Sequence, residues 1–451
     1  MNASNCAQTL EENGKVSTKE ISLKGIPFKP EMIGEMVQPE RVHSRLFTDP
    51  EIFELEIQRI FYSTWVCVGH EGEVPDSGDF RLSMIGHQPI IVTRDADNSV
   101  NVFFNACRHR GVTVCQEERG NARSFTCAYH GWTYDLKGHL TAVPYREGQA
   151  KFFQREDHAL HKVPRVEMHA GFIFASVNLD VIPLAQHLGR SAKLLSDFVD
   201  LSPTGRLMVK SGVHKFRYPG NWKAQVENSV DGYHAIMTHG SFMGAVLHQR
   251  LGRDVSSMVS GSSPTQSRGL VGGHGMLDFR MVDRSSILGA KNSDLPIHLV
   301  KYQKQVQDRL GVEEGNRVLR SNGGDGYNLL VYPNLFLIGV HIRMIQPLAV
   351  NQTEVSCYPT LLENAPDEIN LARLRSHEDF YGPASFGQPD DMEMFIRQSE
   401  GLKVEALEWL LYDRGMDREQ TDEDGTFSQL TDETAHRALW AHYRRLMMRS
   451  T

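Results

Sequence analysis

The sequence predicts an α+β chain, with a small antiparallel β domain followed by a larger domain of mixed helices and strands. Three observations carry the prediction. Helix-spaced apolar residues follow position 48, short β-branched and aromatic runs fill residues 65–180, and helical and strand-like stretches mix beyond Pro183. The 451 residues are enough for two to three domains, each with an ample core. We divide them into an N-terminal arm and helix packing on the larger domain (1–63), the β domain (64–182) and the larger domain (183–451).

Residues 1–35 are polar with little periodicity, which predicts a loose arm. Thr48-Asp49-Pro50-Glu51 reads as a capping box with proline in the first turn, and Ile52, Phe53, Leu55, Ile57, Ile60 and Phe61 follow at helical spacing. From Trp65 the runs WVCVGH, QPIIVTRD, VNVFFN and GFIFASVN are punctuated by Asp-Ser-Gly, Asp-Asn and Lys-Gly turns, the texture of an antiparallel sheet. After the link at Ile182-Pro183, residues 184–200 and 221–240 read as helical and 207–219 as strand. The glycine- and serine-rich stretch 250–325, with GLVGGHGM and SNGGDG inside it, predicts mobile loops. Strands return at NLLVYPNLFLIGVHIRMIQPLAV and TEVSCYPTLL. The remainder reads as mostly helical and ends in an amphipathic helix over 437–447 that buries Leu439, Trp440, Tyr443 and Leu446.

Two cassettes in the β domain, Cys107-Arg-His109 and Cys127-Ala-Tyr-His130, are separated by 17 residues and offer two thiolates and two imidazoles. This is the ligand set of a Rieske [2Fe–2S] cluster, in which two histidines replace two cysteines on one iron. Gly111 and Gly131 follow the cassettes, so each can stand at the tip of a tight loop that brings backbone close to inorganic sulfide. Tyr129, Trp132, Val112 and Val114 would limit water access and help set the potential. Two Cys and two His also suit a structural zinc, but a zinc finger wants C-x2-C followed by paired histidines, whereas here Cys and His alternate. Cys115 and His139 fit neither cassette, and Cys115 reads as a small buried hydrophobe.

The segment from Asn221 to Gly240 is the second to carry chemistry. At about 100° per residue, Glu227, Asp231 and His234 fall on one helical face. His239 is rotated well off it, so for both imidazoles to reach one ion the helix must unwind or end between them, with Gly240 a stop just beyond. Two histidines plus one carboxylate, with open positions, is the arrangement of non-haem Fe(II) oxygenases, which leaves an Asp or Glu as third ligand. Acids and histidines on one helix face are more often solvated or satisfied in a core. Here Val226, Val230, Tyr233 and Ile236 mark the helix as buried, where an Asp–His pair without a metal is costly.

C-x-H-x17-C-x2-H followed about 100 residues later by E-N-x2-D-x2-H-x4-H resembles the large, catalytic subunit of Rieske non-haem iron aromatic ring-hydroxylating dioxygenases, from about residue 40 onward. The resemblance implies a Rieske domain placed before a catalytic domain whose curved antiparallel sheet is flanked by helices. It implies Cys107, His109, Cys127 and His130 as cluster ligands, with His234 and His239 on a mononuclear Fe(II). The family's third ligand is an aspartate that opens a downstream helix. Phe386-Gly-Gln-Pro-Asp390-Asp391-Met-Glu393 matches, with Asp391 favoured as the ligand, Asp390 as helix N-cap and Glu393 as a first-turn acid beside the dipole. By the same resemblance Asp231 is a hydrogen-bonded bridge, making His130, Asp231 and His234 an electron path between adjacent subunits, and Asn228 joins it in the catalytic machinery.

The activity implied is cis-dihydroxylation of an aromatic ring with O2, some relatives monohydroxylating, in a homotrimer or an α3β3 assembly with a small β subunit. The chain has neither a G-x-G-x-x-G after a predicted strand nor a plant-type C-x4-C-x2-C cluster, so electrons come from a separate reductase, directly or through a ferredoxin. The stretches VYPNLFLI and IRMIQPLAVNQTEV, the Pro-Asp-Asp loop and the Asp-Gly-Tyr-His segment look closest to the benzoate-type branch, whose members take aromatic carboxylates. Arg343, on a predicted strand, is a candidate fork for such a carboxylate, against the plainer role of ion-pair partner. Loops 243–325 are expected to select the ring.

A net charge of −8 with Lys and Arg spread along the chain argues against nucleic-acid binding. The opening MNASNCAQTLEENGK has no basic or apolar signal region, and no 18-residue apolar run occurs, so neither a secretory signal nor a membrane span is predicted. Cys6, Cys67, Cys107, Cys115, Cys127 and Cys357 lack the spacing of a disulfide framework, which predicts a reducing, cytoplasmic setting. Two other classes compete. A Rieske electron-transfer protein would need only residues 65–180, and a redox-sensing regulator would carry a DNA-binding segment, which the sequence does not show.

Overall fold

The structure, a computed structural model, describes residues 26–242, 244, 263–280, 295–322 and 326–449. Residues 1–25, 243, 245–262, 281–294, 323–325 and 450–451 lie outside the described residues, and with them the expected N-terminal arm and much of the stretch expected to select the ring.

Asp49, not Thr48, caps the helix Pro50–Glu56: its carboxylate accepts from the Glu51 N–H at 2.9 Å, while Thr48 still ends the preceding helix Arg45–Thr48. A π-turn, Ile57–Phe61, prolongs it. Its apolar stripe joins one core with Trp222, Val226, Trp440 and Leu446, so this segment packs on the larger domain. Arg41–His43 pairs antiparallel with Trp409–Leu411, adding a backbone tie to the same domain.

Three small antiparallel sheets follow. Val66–His70 pairs with the hairpin Arg165–His169/Phe172–Ser176. Asp79–Ile85, Gln88–Arg94, Val100–Phe104 and Arg119–Asn121 make the second sheet, and Ser124–Thr126, Thr133–Asp135 and Leu140–Ala142 the third. Both cassettes stand on loops leading into or out of these strands. Cys67 and Asn334 exchange two hydrogen bonds of 2.9 Å, and Arg81 reaches the Tyr358 hydroxyl at 3.1 Å, fastening this part of the chain to the next.

Among the described residues the larger domain is built on a nine-stranded antiparallel sheet. Its spatial order is His214–Tyr218, Gln352–Pro359, His341–Ala349, Leu335–Ile338, Tyr327–Val331, Gly275–Asp278, Gln266–Leu270, Gly425–Gln429 and Gln420–Asp422. Helices Asp367–Tyr381, Gln388–Gly401 and Thr434–Met447 pack beside it, the last burying Leu439, Trp440, Tyr443 and Leu446.

Two expectations are corrected here. GLVGGHGM is the tip and arms of a hairpin inside the sheet, with Gly269 paired to Gly275. Its glycine serves close packing: a Cβ on Gly269 would sit 2.2 Å from that of Ala438 on the terminal helix. Further along the same stretch come the helices Ile297–Leu310 and Val312–Asn322. The region after residue 400, read as helical, contributes the strands Trp409–Leu411, Gln420–Asp422 and Gly425–Gln429. Trp409–Leu411 and Gly425–Gln429 pair with strands remote in sequence, Arg41–His43 and Gln266–Leu270, of which local pattern carries little trace, while Gln420–Asp422 pairs only with the adjacent Gly425–Gln429 in a short hairpin. Among the described residues no helix is long and apolar enough to cross a membrane.

Candidate cluster loops and candidate metal centre

The two cassettes close loops of one design. The Cys107 N–H donates to the Val112 carbonyl and the Gly111 N–H to the Cys107 carbonyl, both at 2.8 Å. In the second loop Cys127 donates to Trp132 at 2.8 Å and Gly131 to Cys127 at 2.9 Å. Gly111 and Gly131 stand at φ +74° and +72°, left-handed backbone that a side chain would strain.

Both thiols are buried, and the imidazoles face one another with 3.1 Å between the two Nδ1 atoms. Trp132 stacks flat on His109, and the Tyr134 hydroxyl lies 3.3 Å from the Cys107 sulfur while accepting from the Arg108 N–H at 3.0 Å. Burial, with His130 and Arg110 nearby, lowers the His109 pKa and favours the neutral ring that ligation needs. No three of these four side chains bring ligand atoms within 4.8 Å of one another, as ligands of a single tetrahedral zinc would. A two-iron cluster separates a sulfur pair from a nitrogen pair, which suits this arrangement.

The helix expected over 221–240 ends between His234 and His239, as the two imidazoles required, with His239 at the C-cap, and it also breaks once before His234. Trp222–Asn228 is one helix and His234–Thr238 another, so Glu227, Asp231 and His234 do not share a face. Asp231 holds the break: its Oδ1 accepts from the N–H groups of Tyr233 (2.6 Å) and His234 (3.3 Å). Gly232 permits it, since a Cβ there would lie 2.4 Å from the Leu430 carbonyl oxygen.

His234, His239 and Asp391 form the one group of three side chains among the described residues whose potential ligand atoms all lie within 4.8 Å. Asp391 Oδ1 is 3.6 Å from His234 Nε2 and 3.2 Å from His239 Nε2. Asn228 Nδ2 donates to the same oxygen at 3.0 Å and lies 3.2 Å from His234 Nε2. His239 and Asp391 are buried, and the Phe380 ring packs edge-on against His239 at 4.9 Å. His234 Nδ1 approaches Asp231 Oδ2 at 3.4 Å without the alignment of a hydrogen bond.

Burial would raise both aspartates, but the neighbouring imidazoles outweigh it and hold Asp231 and Asp391 below the ordinary carboxylate range. Burial would likewise lower His234, yet Asp231 and Asp391 hold it above the usual histidine value. The site thus favours positive charge. Two imidazoles and a carboxylate, convergent and mostly enclosed, fit a divalent iron with open coordination positions.

Other candidates are placed elsewhere. Asp390 is not the helix cap: Gly387 holds that position, and Asp390 sits in the first turn with Oδ2 3.7 Å from His239 Nδ1. Glu393 lies past that turn and pairs with Arg397 at 2.8 Å. Glu227 is engaged by the Tyr412 hydroxyl (2.5 Å) and Trp440 Nε1 (2.8 Å), and burial pushes its carboxyl up to about 7. Phe380 and Gln388 were not anticipated. Gln388 is three residues ahead of Asp391, a helical spacing that could have drawn notice.

The sequence profile described as Rieske [2Fe-2S] domain matches residues 64–154, and that described as ring hydroxylating alpha subunit (catalytic domain) matches residues 206–448. Toluate 1,2-dioxygenase subunit alpha of Pseudomonas putida is 35% identical over 374 residues, covering 80% of this chain and 79% of the relative. The 2-halobenzoate 1,2-dioxygenase large subunit of Burkholderia cepacia is 32% identical over 415 residues, covering 89% and 86%. Among solved structures, naphthalene 1,2-dioxygenase from Rhodococcus sp. bound to indole superposes with a TM-score of 0.77 at 26% identity, covering 90% of this chain and 94% of that one.

Proposed function

Because this chain belongs to the family of ring-hydroxylating alpha subunits, we propose that it is the terminal oxygenase that cis-dihydroxylates an aromatic carboxylate of the benzoate type. The protein is a Rieske ring-hydroxylating dioxygenase subunit, with a [2Fe–2S] cluster in one domain and a mononuclear iron in the other. The observation that carries the reading is the convergence of His234, His239 and Asp391 within 4.8 Å. The carboxylate is supported by the two relatives above, both named for benzoates.

In this reading Cys107 and Cys127 hold one iron of the cluster and His109 and His130 the other. His234, His239 and Asp391 hold the mononuclear iron, which when bound activates O2 beside the ring. Asn228 fixes the carboxylate of Asp391 through its 3.0 Å hydrogen bond. Phe380 shields His239 from water. Asp231 keeps its negative charge next to His234, with a partly exposed side chain available to His130 of an adjacent copy. A reductase, directly or through a ferredoxin, delivers two electrons. With two protons and one O2 they convert the arene to its cis-dihydrodiol, in a homotrimer or an α3β3 assembly.

The test is a substrate screen with the holoenzyme and a compatible reductase, following O2 uptake and product together. Benzoate, substituted benzoates, salicylate, anthranilate and the phthalates are set against neutral arenes. A cis-diol from an aromatic carboxylate is expected. A singly hydroxylated product would make the protein a monohydroxylase of the same family, and turnover of neutral arenes alone would overturn the carboxylate assignment.

A further inference from the structure

We propose that Arg343 is the carboxylate anchor of the substrate pocket, binding the anionic group of an aromatic acid while the ring is held toward His234, His239 and Asp391. The inference rests on the aromatic-carboxylate reading above and adds the residue that enforces it. Arg343 lies on the central strand His341–Ala349 and is 1% exposed. Among the described residues no carboxylate comes within ion-pair distance of it. Among the described residues Nη2 donates to Gln388 Oε1 at 3.2 Å, the Cys357 thiol is a further hydrogen-bonding neighbour, Nε has no partner, and the guanidinium sits 5.3 Å from the Tyr381 ring centroid.

A buried guanidinium without an anion is costly, and its surroundings repeat the deficit. His341, two residues earlier and on the same face of the strand, has both ring nitrogens unpartnered among the described residues. So are His377 Nδ1 and Gln388 Nε2. These groups are contiguous: His341 contacts the His377 ring at 5.2 Å and the Tyr381 ring at 4.0 Å. The cluster is rich in donors, and among the described residues its nearest electrostatic acid, Asp391, stays beyond ion-pair distance of Arg343, which suits an incoming carboxylate able to accept several hydrogen bonds.

The cluster also adjoins the candidate metal centre through two links. Gln388 precedes Asp391 by three residues on one helix, which puts the two side chains on neighbouring positions of one face. Phe380, next in sequence to Tyr381, packs on both the Tyr381 ring (4.6 Å) and His239 (4.9 Å). A ligand held by Arg343 therefore meets the iron-site aromatic wall. The ordinary fate of a strand arginine, an ion pair with a nearby acid, is unfilled here among the described residues.

The experiment compares holoenzyme, Arg343→Met and Arg343→Lys. The probe is benzoate, or the substituted benzoate that the screen ranks first, set against its own primary amide, which keeps the shape and loses the charge. Calorimetric affinity and steady-state KM and kcat are measured for each. Arg343→Met is expected to weaken the acid about 30-fold or more while changing the amide less than about threefold. Arg343→Lys, a point charge without the fork, should lose about tenfold on the acid alone. Equal weakening of acid and amide, or an unchanged acid affinity in either variant, overturns the inference and leaves the carboxylate reading standing. Wild-type enzyme that binds no aromatic acid overturns both.

Discussion

Lys223 and Glu56 tie the segment ahead of the β domain to the helix that carries Asn228, and Lys223→Met measures what that tie contributes. The ammonium lies 2.5 Å from the Glu56 carboxylate, with side chains 1% and 0% exposed. Glu56 also accepts from Trp222 Nε1 at 2.7 Å and from the Tyr443 hydroxyl at 2.6 Å. Methionine fills the lysine stem but leaves a buried carboxylate with two neutral donors, and breaking a buried pair in this way costs about 3–5 kcal/mol. Adding Glu56→Gln removes the orphaned charge while its amide oxygen still accepts from Trp222 or Tyr443, so the double variant should regain about 2–3 kcal/mol. Urea titration followed by fluorescence of the buried tryptophans reads this, since Trp222 and Trp440 lie in the affected core. The midpoint of that transition should fall by about 1–2 M in the single variant and recover in the double one. A single-variant shift below about 0.3 M, or a double variant no more stable than the single, would refute the electrostatic account.

Asp391→Ala should lower iron from about three to about two per chain while labile sulfide and the visible cluster spectrum persist; loss of cluster signal instead would show a folding defect. Asp231→Asn should retain both iron sites and normal reduction of the cluster by reductase, yet slow single-turnover oxidation of the cluster with substrate and O2. Rates equal to wild type would remove Asp231 from the electron path. Glu227 gives a pH signature. Burial raises its folded-state pKa to about 7, above the unfolded value near 4.5, so the folded chain takes up a proton, and stability falls as pH rises from about 4.5 through 7 and levels beyond it. Glu227→Gln keeps an acceptor for Tyr412 and Trp440 and should flatten that slope, gaining about 3 kcal/mol at pH 8 but little at pH 4; urea midpoints at the two pH values decide it.

Much of this site could be read before any coordinates. The cassettes were legible because their chemistry is local: Cys107 to Gly111 and Cys127 to Gly131 each build a complete loop from neighbouring residues. His234 and His239 were visible as a pair for the same reason. Their geometry was not, because helical periodicity assumes a continuous helix, whereas the packing of Gly232 against Leu430 and the turn at Asp231 end one helix and start another. Asp390 looked like a cap from its position alone, and only the backbone at Gly387 assigned it to the first turn instead.

The residues that sequence left ambiguous are those whose meaning depends on partners far away in the chain. Glu227 shared a predicted helical face with Asp231 and His234, and only the folded chain shows it engaged by Tyr412 and Trp440, remote in sequence. Glu56 and Lys223 gave no sign of meeting in the core. Arg343 could have been an ion pair or an anion fork, and that choice rests on which charges lie within about 4 Å of it. The sequence by itself determined the cofactor types, the order of the domains and the ligand-bearing segments, since ligand identity and spacing are properties of the chain. Tertiary structure decided how closely Asp391 meets the two histidines and, among the described residues, that no acid lies within ion-pair distance of Arg343, because burial and distance exist only once the chain has folded.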